Sequence, residues 1–456
     1  MISLQNSRKK TLPRYNPRLQ KDRLIVFGRY PIPGRTKTRL IPALHPVGAA
    51  DLQRRLTEIT LQRVRTIAFQ RNIGVEVCFQ GGSLKRMRRW LGSDLIFSHQ
   101  GPGDLGQRMY LAFIRAFQEG CRRVVLLGTD IPELSAGHIG QAFDALSEHD
   151  LVLGPSTDGG YCLMGLTRPA DLFHGISWST STVHDHTIAL ANKLGLRFHR
   201  LDSLDDIDTF DDLKLWKPDK DYQRPYISVI IPTWNEESNI ERAVGEAQNE
   251  ETEVIVVDGG SEDGTRRRAN RMGARVVRSS RGRAKQQNAG AATAFGRILF
   301  FLHADTQLPK DYVGHIFEAL MDPGITIGAF RFKTDLNHPS MRLIELLTNF
   351  RSRNLKLPYG DQGLFMRKSV FESVGGFPEI QLAEDLFFVR RLAKLGRIEI
   401  SPVEAITSAR RWRTFGLLRT TLINQLIVIG CYLGLSPRAL ASLYRFLETV
   451  HRKNNI

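Results

Sequence analysis

Short apolar runs alternate with longer polar stretches along the chain, and several of the runs stop at an acidic residue. Examples are ISVIIPTWNE, EVIVVD and ILFFLHAD, which end at Glu236, Asp258 and Asp305. Nearly continuous apolar runs are typical of parallel strands that are buried on both faces. Because ligands of open parallel sheets bind beyond the carboxyl ends of the strands, the pattern predicts an α/β sheet that gathers these carboxylates in one crevice.

Carboxylates gathered in a mostly apolar sheet repel each other unless a hard cation or a donor-rich ligand lies among them. A nucleotide bound together with a divalent metal meets both requirements.

The first half of the chain repeats this pattern with a different loop. The apolar run RLIVFGR leads into YPIPGRTKTRL, a Pro/Gly loop that carries Arg35, Lys37 and Arg39 and suits a phosphate ligand. The loop is not a P-loop, because five residues separate Gly28 from Gly34, an arginine replaces the lysine, and two prolines remove backbone donors. An ATPase of that class is excluded.

Acidic residues follow later runs of the first half as well. CRRVVLLGTD ends at Asp130, and GPSTDGGY places Asp158 before two glycines that permit close backbone approach to a ligand. In DSLDDIDTFDDL, Asp208 is the best candidate for a second metal ligand, whereas the alternative is a helix start whose acids favour the helix dipole.

Length and composition indicate an enzyme of two domains. The chain has 456 residues with 42% hydrophobic residues, enough for two ordinary cores. Four dispersed cysteines without a C-x-x-C pair argue against structural zinc and favour a reducing compartment. The basic N-terminus has no apolar segment of signal-peptide length, so we expect a cytoplasmic protein.

Composition also predicts domain boundaries. The polar stretch KPDKDYQRP, with two prolines, separates the two halves. The expected segments are a basic disordered tail (1–21), a first domain (22–216), a linker (217–225), a second domain (226–415) and a C-terminal helical hairpin (416–456).

The net charge of +17 raises the question of nucleic-acid binding. Residues 266–285 contain nine Arg or Lys and no acid, but no recognition helix, zinc finger or aromatic RNA-binding motif is present. We therefore expect no specific nucleic-acid partner. Sugar diphosphates and anionic membrane surfaces explain the charge equally well.

Five motifs in the second half occur in a recognisable order: PTWNEE, VVDGGSEDGT, FLHAD, GDQGLFMRKSVFESVGGF and AEDLFFVRRL. Over residues 225–415 they resemble the family 2 glycosyltransferases, which have the GT-A fold. The resemblance implies a nucleoside diphosphate sugar as donor and Mg or Mn as cofactor. The residues it assigns to the base and ribose are Pro232, Thr233, Glu236 and Asp258.

The same resemblance implies roles around the diphosphate and the metal. Arg283 and Lys285 would contact the diphosphate, although a solvated helix face explains them as well. Asp305 would bind the metal, yet the family's Asp-x-Asp signature is replaced here by His303-Ala304-Asp305. One carboxylate still holds Mg or Mn when phosphates and water complete the shell.

For the acceptor, the resemblance implies that Asp385 takes the proton of the attacking hydroxyl, so that transfer inverts the anomeric configuration. The neighbouring Glu384 is expected to point elsewhere. Arg411, with its neighbours around Trp412, would cover the diphosphate or else lie on a surface loop. The segment assigned to the acceptor pocket, or alternatively to a turn and a helix cap, is Gly360, Asp361 and Gln362.

In the first half, VFGRYPIPGRTKTRL, GDLGQRM, LLGTDIP and GPSTDGGY resemble the DUF2064-like family, a GT-A-like family related to nucleotidyltransferases, over residues 22–215. A basic loop with Asp130 and Asp208 would then neutralise a triphosphate and hold Mg. Fusions of the two modules are similar to arsenosugar biosynthesis glycosyltransferases, although no residue indicates arsenic chemistry.

We therefore expect two GT-A-like, Rossmann-like domains in tandem, each with a mixed, mostly parallel sheet, followed by a helical extension. The expected function is a metal-dependent inverting glycosyltransferase whose first domain binds or makes a nucleotide-linked precursor. The alternatives are a peripheral-membrane enzyme with a lipid or carotenoid acceptor, and a first domain that is a nucleotide-binding scaffold without chemistry.

The apolar run 422–435 is too short to span a bilayer. It suits a hairpin broken at Ser436-Pro437, packed on the catalytic domain or on another subunit, or else a helix lying on the cytoplasmic membrane face. A small-molecule or lipid acceptor and assembly into a homo-oligomer both stay open.

Overall fold

The computed structural model describes residues 17–178, 180–216, 225–433, 435, 439, 440 and 442. The chain divides into two compact units, residues 1–219 and 220–456, called unit 1 and unit 2 below.

Unit 1 is built on a seven-stranded sheet. Its strands are β1 (Asp22–Arg29), β2 (Gly74–Gln80), β3 (Ile96–His99), β4 (Arg123–Gly128), β5 (Leu151–Pro155), β6 (Tyr161–Leu166) and β7 (Phe198–Arg200). They lie in the order β3-β2-β1-β4-β6-β5-β7, and only β6 runs antiparallel to its neighbours among the described strands. This is the mixed, mostly parallel sheet that the apolar runs predict.

Five helices accompany this sheet: α1 (Ile41–Arg71), α2 (Leu84–Leu91), α3 (Leu105–Gln118), α4 (Ala136–Ala145) and α5 (Val183–Lys193). Helix α1 is kinked at His45, before Pro46. The motif GDLGQRM forms the start of α3, where Asp104 and Gln107 make a reciprocal capping box that satisfies two backbone donors.

Unit 2 contains an eight-stranded sheet. Its strands are β8 (Ile227–Thr233), β9 (Thr252–Asp258), β10 (Arg275–Arg278), β11 (Ile298–Phe301), β12 (Thr306–Gln307), β13 (Ile325–Thr334), β14 (Leu364–Arg367) and β15 (Arg397–Thr407). The order is β10-β9-β8-β11-β14-β13-β15-β12, and β14 runs antiparallel to β11 and β13. In both units the first four strands therefore lie in the order third, second, first, fourth, followed by an antiparallel strand. The predicted fold class is confirmed.

The helices of unit 2 are α6 (Ile240–Ala247), α7 (Thr265–Arg271), α8 (Arg283–Thr293), α9 (Tyr312–Leu320), α10 (Pro339–Asn354), α11 (Lys368–Ser373), α12 (Glu384–Leu392), α13 (Arg410–Phe415) and α14 (Leu417–Tyr432). Among the described residues, none of the helices is long and apolar enough to cross a membrane.

An aromatic cluster in unit 2 fixes the helix that carries the predicted base. Phe388 of α12 packs on Phe377 with ring centroids 4.1 Å apart and on Phe371 at 5.7 Å. Phe377 in turn contacts Phe301 of the central strand β11 at 4.9 Å. Because these rings are buried, α12 is held against the sheet and its first turn has a defined position.

The expected boundary segments are only partly described. Residues 17–19 form a 3₁₀ helix next to β2, so the tail expected over 1–21 is ordered in its last part, and residues 1–16 lie outside the described residues. Most of the linker 217–225 also lies outside them. Of the expected hairpin 416–456, α14 is described, whereas the predicted break at Ser436-Pro437 lies outside.

Candidate functional site

A cleft of about 620 Å³ opens in unit 2 where β11, β15 and the first turns of α8 and α12 meet. Apolar and ionisable side chains share its wall, and the charged and imidazole side chains along it are Arg283, His303, Asp305, Asp361, Glu384, Asp385 and Arg411. The sheet and helix positions explain this composition, because strand ends and helix N-termini are where a parallel α/β fold presents polar groups.

Two helix starts face each other across the cleft. Arg283 begins α8 and Glu384 begins α12, and Arg283 Nη1 lies 3.4 Å from Glu384 Oε1. The residue before α12, Ala383, has a left-handed backbone with φ 62°. That conformation is costly for a residue with a Cβ, and such strain concentrates at ligand-binding positions. Glu384 lines the same cleft as its neighbour Asp385. The prediction that Glu384 points elsewhere is therefore wrong.

The predicted base, Asp385, is held by backbone donors. Its Oδ2 accepts a hydrogen bond of 2.8 Å from the N–H of Gly360, and its Oδ1 accepts one from the N–H of Leu386. A Cβ at Gly360 would lie 2.9 Å from Nε2 of His303 and 3.3 Å from Oδ2 of Asp385. Only glycine therefore permits the backbone, the imidazole and the carboxylate to approach this closely.

Burial and mutual repulsion raise the pKa values of several acids in the cleft. Burial raises the pKa of Asp361 to about 6, and repulsion by Asp385 adds to the rise against the opposing effect of Arg351. Burial, with repulsion by Asp385, also raises the pKa of Glu384, and burial with repulsion by Glu236 raises that of Asp305.

His303 shows the opposite effect. Burial, followed by repulsion from Arg283, lowers the pKa of His303 to about 3, so the imidazole is neutral at physiological pH.

Three buried polar atoms on the cleft wall have no hydrogen-bond partner among the described residues: Nε2 of His303, Oδ1 of Asp361 and Nε1 of Trp412. Buried polar atoms are nearly always paired, so orphaned ones at a cleft indicate a polar ligand. One acceptor oxygen, one indole donor and one imidazole nitrogen suit a ligand rich in hydroxyl groups or an oxygen-bound cation.

The donor set bears on metal binding. Neutral imidazole and carboxylate are both ligands of Mn²⁺, and carboxylate is a ligand of Mg²⁺. Within the described part of the chain, however, no three His, Cys, Asp or Glu side chains come together to hold a metal. His303 and Asp305 thus fit a site that phosphate oxygens and water complete.

The remaining predicted donor residues lie beside the cleft rather than on its wall. Glu236 Oε1 accepts a hydrogen bond of 3.2 Å from Arg410 and lies close enough to Asp305 to affect its ionisation. Asp258 is almost fully buried, and its carboxylate accepts hydrogen bonds from the N–H groups of Gly260 and Ser261. Glu236 and Asp305 therefore lie near each other and Asp258 caps its own loop, while the convergence of all three carboxylates stays a prediction.

Other predicted residues differ in their surroundings. Thr233 at the end of β8 is buried, Pro232 precedes it in the strand, and Lys285 is exposed on α8. Gln362 is fully buried, where its amide donates to the carbonyl of Phe330 and accepts from Ser352. These bonds give Gln362 a structural role, and it does not face the cleft.

The segment around Trp412 is a helix, not the surface loop weighed above. Arg411 and Trp412 of α13 line the cleft, whereas Arg413 points to Asp335, with Nη2 3.1 Å from Oδ1. The apolar Ile427 and Val428 of α14 complete the wall and were not anticipated.

In unit 1 the basic loop and the acids do come together, with a lysine at the centre. Lys37 Nζ lies 3.2 Å from Asp130 Oδ2 and 3.4 Å from Asp208 Oδ1, and it donates to the carbonyl of Ile207. Its side chain is almost completely buried. That Asp130 and Asp208 hold Mg stays a prediction, and in this structure the ammonium group of Lys37 lies between the two acids. Arg39 also contacts Asp208, at 3.4 Å.

Two further acids of unit 1, Asp158 and Asp206, lie near Asp130 and Asp208. Asp158 accepts hydrogen bonds from the Ser156 hydroxyl and from the N–H of Gly160, so it stabilises its own turn. Burial, followed by repulsion from Asp158 and Asp208, raises the pKa of Asp206 to about 6. Asp206 was missed by sequence reasoning, although it lies in the acidic motif. Arg35 is exposed in the loop.

A second polar group at the ends of β1 and β2 was also missed. Arg108 of α3 donates to the side-chain oxygens of Gln80 and Gln100, and Arg29 donates to Gln80. Burial, followed by repulsion from Arg29, lowers the pKa of Arg108. The motif GDLGQRM contains Arg108 and was the available signal.

Comparison with known proteins agrees with these two units. Residues 228–375 match the family described as Glycosyl transferase family 2, and residues 63–180 match the family described as Uncharacterized protein conserved in bacteria (DUF2064). Over 193 residues the chain is 25% identical to the glycosyltransferase AglE of Haloferax volcanii, a match that covers 38% of this chain and 62% of AglE. The chain thus spans less than two thirds of that relative.

Two solved structures are also similar to parts of the chain. A putative nucleotide-diphospho-sugar transferase from Desulfovibrio desulfuricans G20 has 30% identity and a TM-score of 0.40, over 45% of this chain and 91% of that one. The mannosyltransferase PcManGT from Pyrobaculum calidifontis, solved with GDP-Man and Mn²⁺, has 20% identity and a TM-score of 0.38, over 51% and 74%.

The family matches confirm both resemblances seen in the motifs, while the link to arsenosugar biosynthesis stays a prediction. The chain joins a region that matches the DUF2064 family to a region that matches the Glycosyl transferase family 2.

Proposed function

We propose that unit 2 transfers a sugar from a nucleoside diphosphate sugar to an acceptor hydroxyl in the 620 Å³ cleft, with inversion at the anomeric carbon. The observation that carries the proposal is the arrangement of Asp385 and Arg283 on one wall. A carboxylate fixed by two backbone donors lies in the same cleft as a cation at a helix N-terminus. This supplies a base and an anion-binding group within one cavity.

In the proposed reaction the acceptor oxygen forms a bond to the anomeric carbon while the bond from that carbon to the diphosphate oxygen breaks. Asp385 takes the acceptor proton, and the nucleoside diphosphate leaves with the bonding electrons. The hydrogen bonds from Gly360 and Leu386 orient the carboxylate and keep it in one position during proton transfer. A single base and a direct displacement give inversion.

The leaving diphosphate gains negative charge, and we expect Arg283 and Arg411, which lie on the cleft wall, to stabilise it. A divalent Mg or Mn ion would be held by Asp305 and His303, and when bound it would neutralise the charge that develops on the leaving group. Asp361 lies on the cleft wall and Gly360 donates to Asp385, and these two residues are our candidates for contact with the acceptor.

For unit 1 we propose that the loop around Lys37 binds the phosphates of a nucleotide or of a nucleotide-linked precursor. Arg39 and Arg35 are exposed in the loop near Lys37, and the contacts of Asp130 and Asp208 with Lys37 and of Asp208 with Arg39 keep the loop in place. A scaffold without chemistry and an enzyme that makes the donor share this binding step. Turnover of the bound nucleotide distinguishes them, because only the enzyme changes it chemically.

The test is turnover of a panel of nucleoside diphosphate sugars with Mg or Mn, on the intact chain and on Asp305→Asn and Asp385→Asn. We expect one donor to be consumed with metal present. Asp385→Asn should bind that donor normally and turn over roughly 10²–10⁴-fold more slowly, the usual worth of a general base. Asp305→Asn should bind donor and metal more weakly.

Glu372→Gln, an exposed acid on α11, is the matched control and should behave as the unaltered chain does. If Asp385→Asn keeps full turnover, or if no donor binds the intact chain with either metal, the proposal is wrong.

A further inference from the structure

Helix α10 of unit 2 exposes a stripe of large apolar side chains. Leu343, Leu346, Leu347 and Phe350 recur at helical spacing on one side, and Leu346 and Phe350 are 65% and 59% exposed. Leu355, just beyond the helix, is exposed as well. Single exposed leucines are ordinary, but a continuous stripe on one helix indicates a surface that something covers.

Helix α14 carries a second stripe and lies against α10. Its outward residues Leu422, Leu426, Ile429 and the following Leu433 are spaced by three or four positions, and Leu422 and Leu433 are 62% and 76% exposed. We call these four residues, with Leu343, Leu346, Leu347 and Phe350, the α10–α14 face. The opposite side of α14 is buried or lines the cleft.

Exposed cations lie on and next to α10, namely Arg342, Arg353 and Lys356. Glu345 is the single acid within residues 336–360, and its carboxylate accepts hydrogen bonds from the N–H and hydroxyl of Thr334. An apolar surface with a basic surround is complementary to anionic lipid headgroups above acyl chains.

We propose that the α10–α14 face docks on a membrane surface that contains anionic lipid. A second copy of the chain is the less favourable occupant. A two-fold dimer would bring the same face of both copies together, and with it the exposed Arg342, Arg353 and Lys356 of each copy. A lipid surface supplies the opposite charge and accepts the leucines without requiring shape complementarity.

This docking has a consequence for the cleft. Ile427 and Val428 of α14 line it from inside, while Leu426 and Ile429 belong to the outward stripe. A membrane bound to the outer side of α14 therefore lies one helix diameter, about 10 Å, from the cleft wall. The docking itself does not depend on the proposed transfer reaction, and it is measured without donor or acceptor.

The experiment is sedimentation of the full chain with vesicles of phosphatidylcholine alone or mixed equally with phosphatidylglycerol. We expect binding to the mixed vesicles that weakens as salt is raised. Leu346→Gln/Phe350→Gln should weaken it at least about tenfold through lost apolar burial. Arg353→Gln/Lys356→Gln should weaken it about fivefold for each charge removed.

The controls are matched substitutions on unit 1. Phe69→Gln removes an apolar side chain that is 87% exposed, and Arg88→Gln/Arg89→Gln removes two exposed charges on α2. Both should bind mixed vesicles as the unaltered chain does. Because the altered residues are exposed, all variants should keep the thermal unfolding midpoint, and this is checked first.

Three results would overturn the proposal. The first is no binding of the intact chain to mixed vesicles at low salt. The second is an equal loss in the control variants, which would indicate attraction by overall charge alone. The third is a dimer in light scattering that Leu346→Gln/Phe350→Gln converts to a monomer, which would assign the face to a second copy.

Discussion

Arg283 and Glu384 form an ion pair across the cleft of unit 2, with Nη1 3.4 Å from Oε1, and each residue begins a helix. Glu384 is almost completely buried, whereas the guanidinium is half exposed toward the cleft. A diphosphate entering the cleft must therefore compete with a protein carboxylate for the same cation.

The first prediction follows from this competition. Glu384→Gln removes a negative charge beside the diphosphate, so a nucleoside diphosphate should bind about three- to tenfold more tightly without metal. Arg283→Gln should weaken binding by at least about tenfold. Calorimetric titration of both variants measures these changes. Weaker binding by Glu384→Gln would mean that the glutamate itself contacts the ligand.

The second prediction concerns His303, which stands where the family has its first aspartate. His303→Asp adds a carboxylate next to Asp305, Asp361 and Asp385, so we expect a loss of about 1–3 kcal/mol in the free energy of unfolding in EDTA. Divalent metal should restore this stability, and Mg²⁺ should do so better than in the unaltered chain, because imidazole favours Mn²⁺ over Mg²⁺.

Thermal unfolding with each metal, and Mn²⁺ binding followed by electron paramagnetic resonance, measure these effects. His303→Gln is the uncharged control and should show no such metal-dependent recovery. An equal response of His303→Asp and His303→Gln to metal would place the ion elsewhere.

The third prediction uses the raised pKa of Asp361, about 6 against an ordinary 3.8. Because the folded chain holds this proton more tightly than the unfolded chain, stability is lost as the pH rises from about 4 to 6. Asp361→Asn should remove that loss. Measured in EDTA, the variant should be more stable by up to about 2–3 kcal/mol above pH 6, with the gain vanishing below pH 4. A gain that is independent of pH would contradict this assignment.

Sequence patterns predict the strands well because buried parallel strands are continuous apolar runs, and runs ending at Asp130, Asp258 and Asp305 identify three strand ends. Strand order does not follow from periodicity. The antiparallel placement of β14 between β11 and β13 depends on long-range pairing that no local pattern carries.

Site residues could be predicted from the sequence only where they follow directly from a secondary-structure element, at the end of a strand or the start of a helix. Asp305 and Asp385 are such residues, and both lie on the cleft wall. The pairing of Glu384 with Arg283 was missed because neighbours on a helix were expected to diverge, whereas the first turn after the strained Ala383 lets both acids face the cleft. Sequence adjacency alone therefore gives the wrong side-chain direction for Glu384, because the strained backbone at Ala383 decides how the first turn of α12 is oriented.

The fourth prediction concerns Lys37 of unit 1, whose contact with Asp208 joins residues 171 positions apart and has no local signal. The buried ammonium lies between Asp130 and Asp208, where the sequence predicts Mg.

Lys37→Met leaves two facing carboxylates, so we expect a loss of about 1–3 kcal/mol in the free energy of unfolding. Mg²⁺ should partly restore this stability, while the unaltered chain gains little from Mg²⁺. Thermal unfolding of unaltered, Lys37→Met and Lys85→Met chains, with and without Mg²⁺, measures this; Lys85 is exposed on α2 and serves as the control. If Mg²⁺ stabilises the unaltered chain as much as Lys37→Met, the metal binds with the lysine in place or displaces it, and the ammonium is not a substitute for the ion.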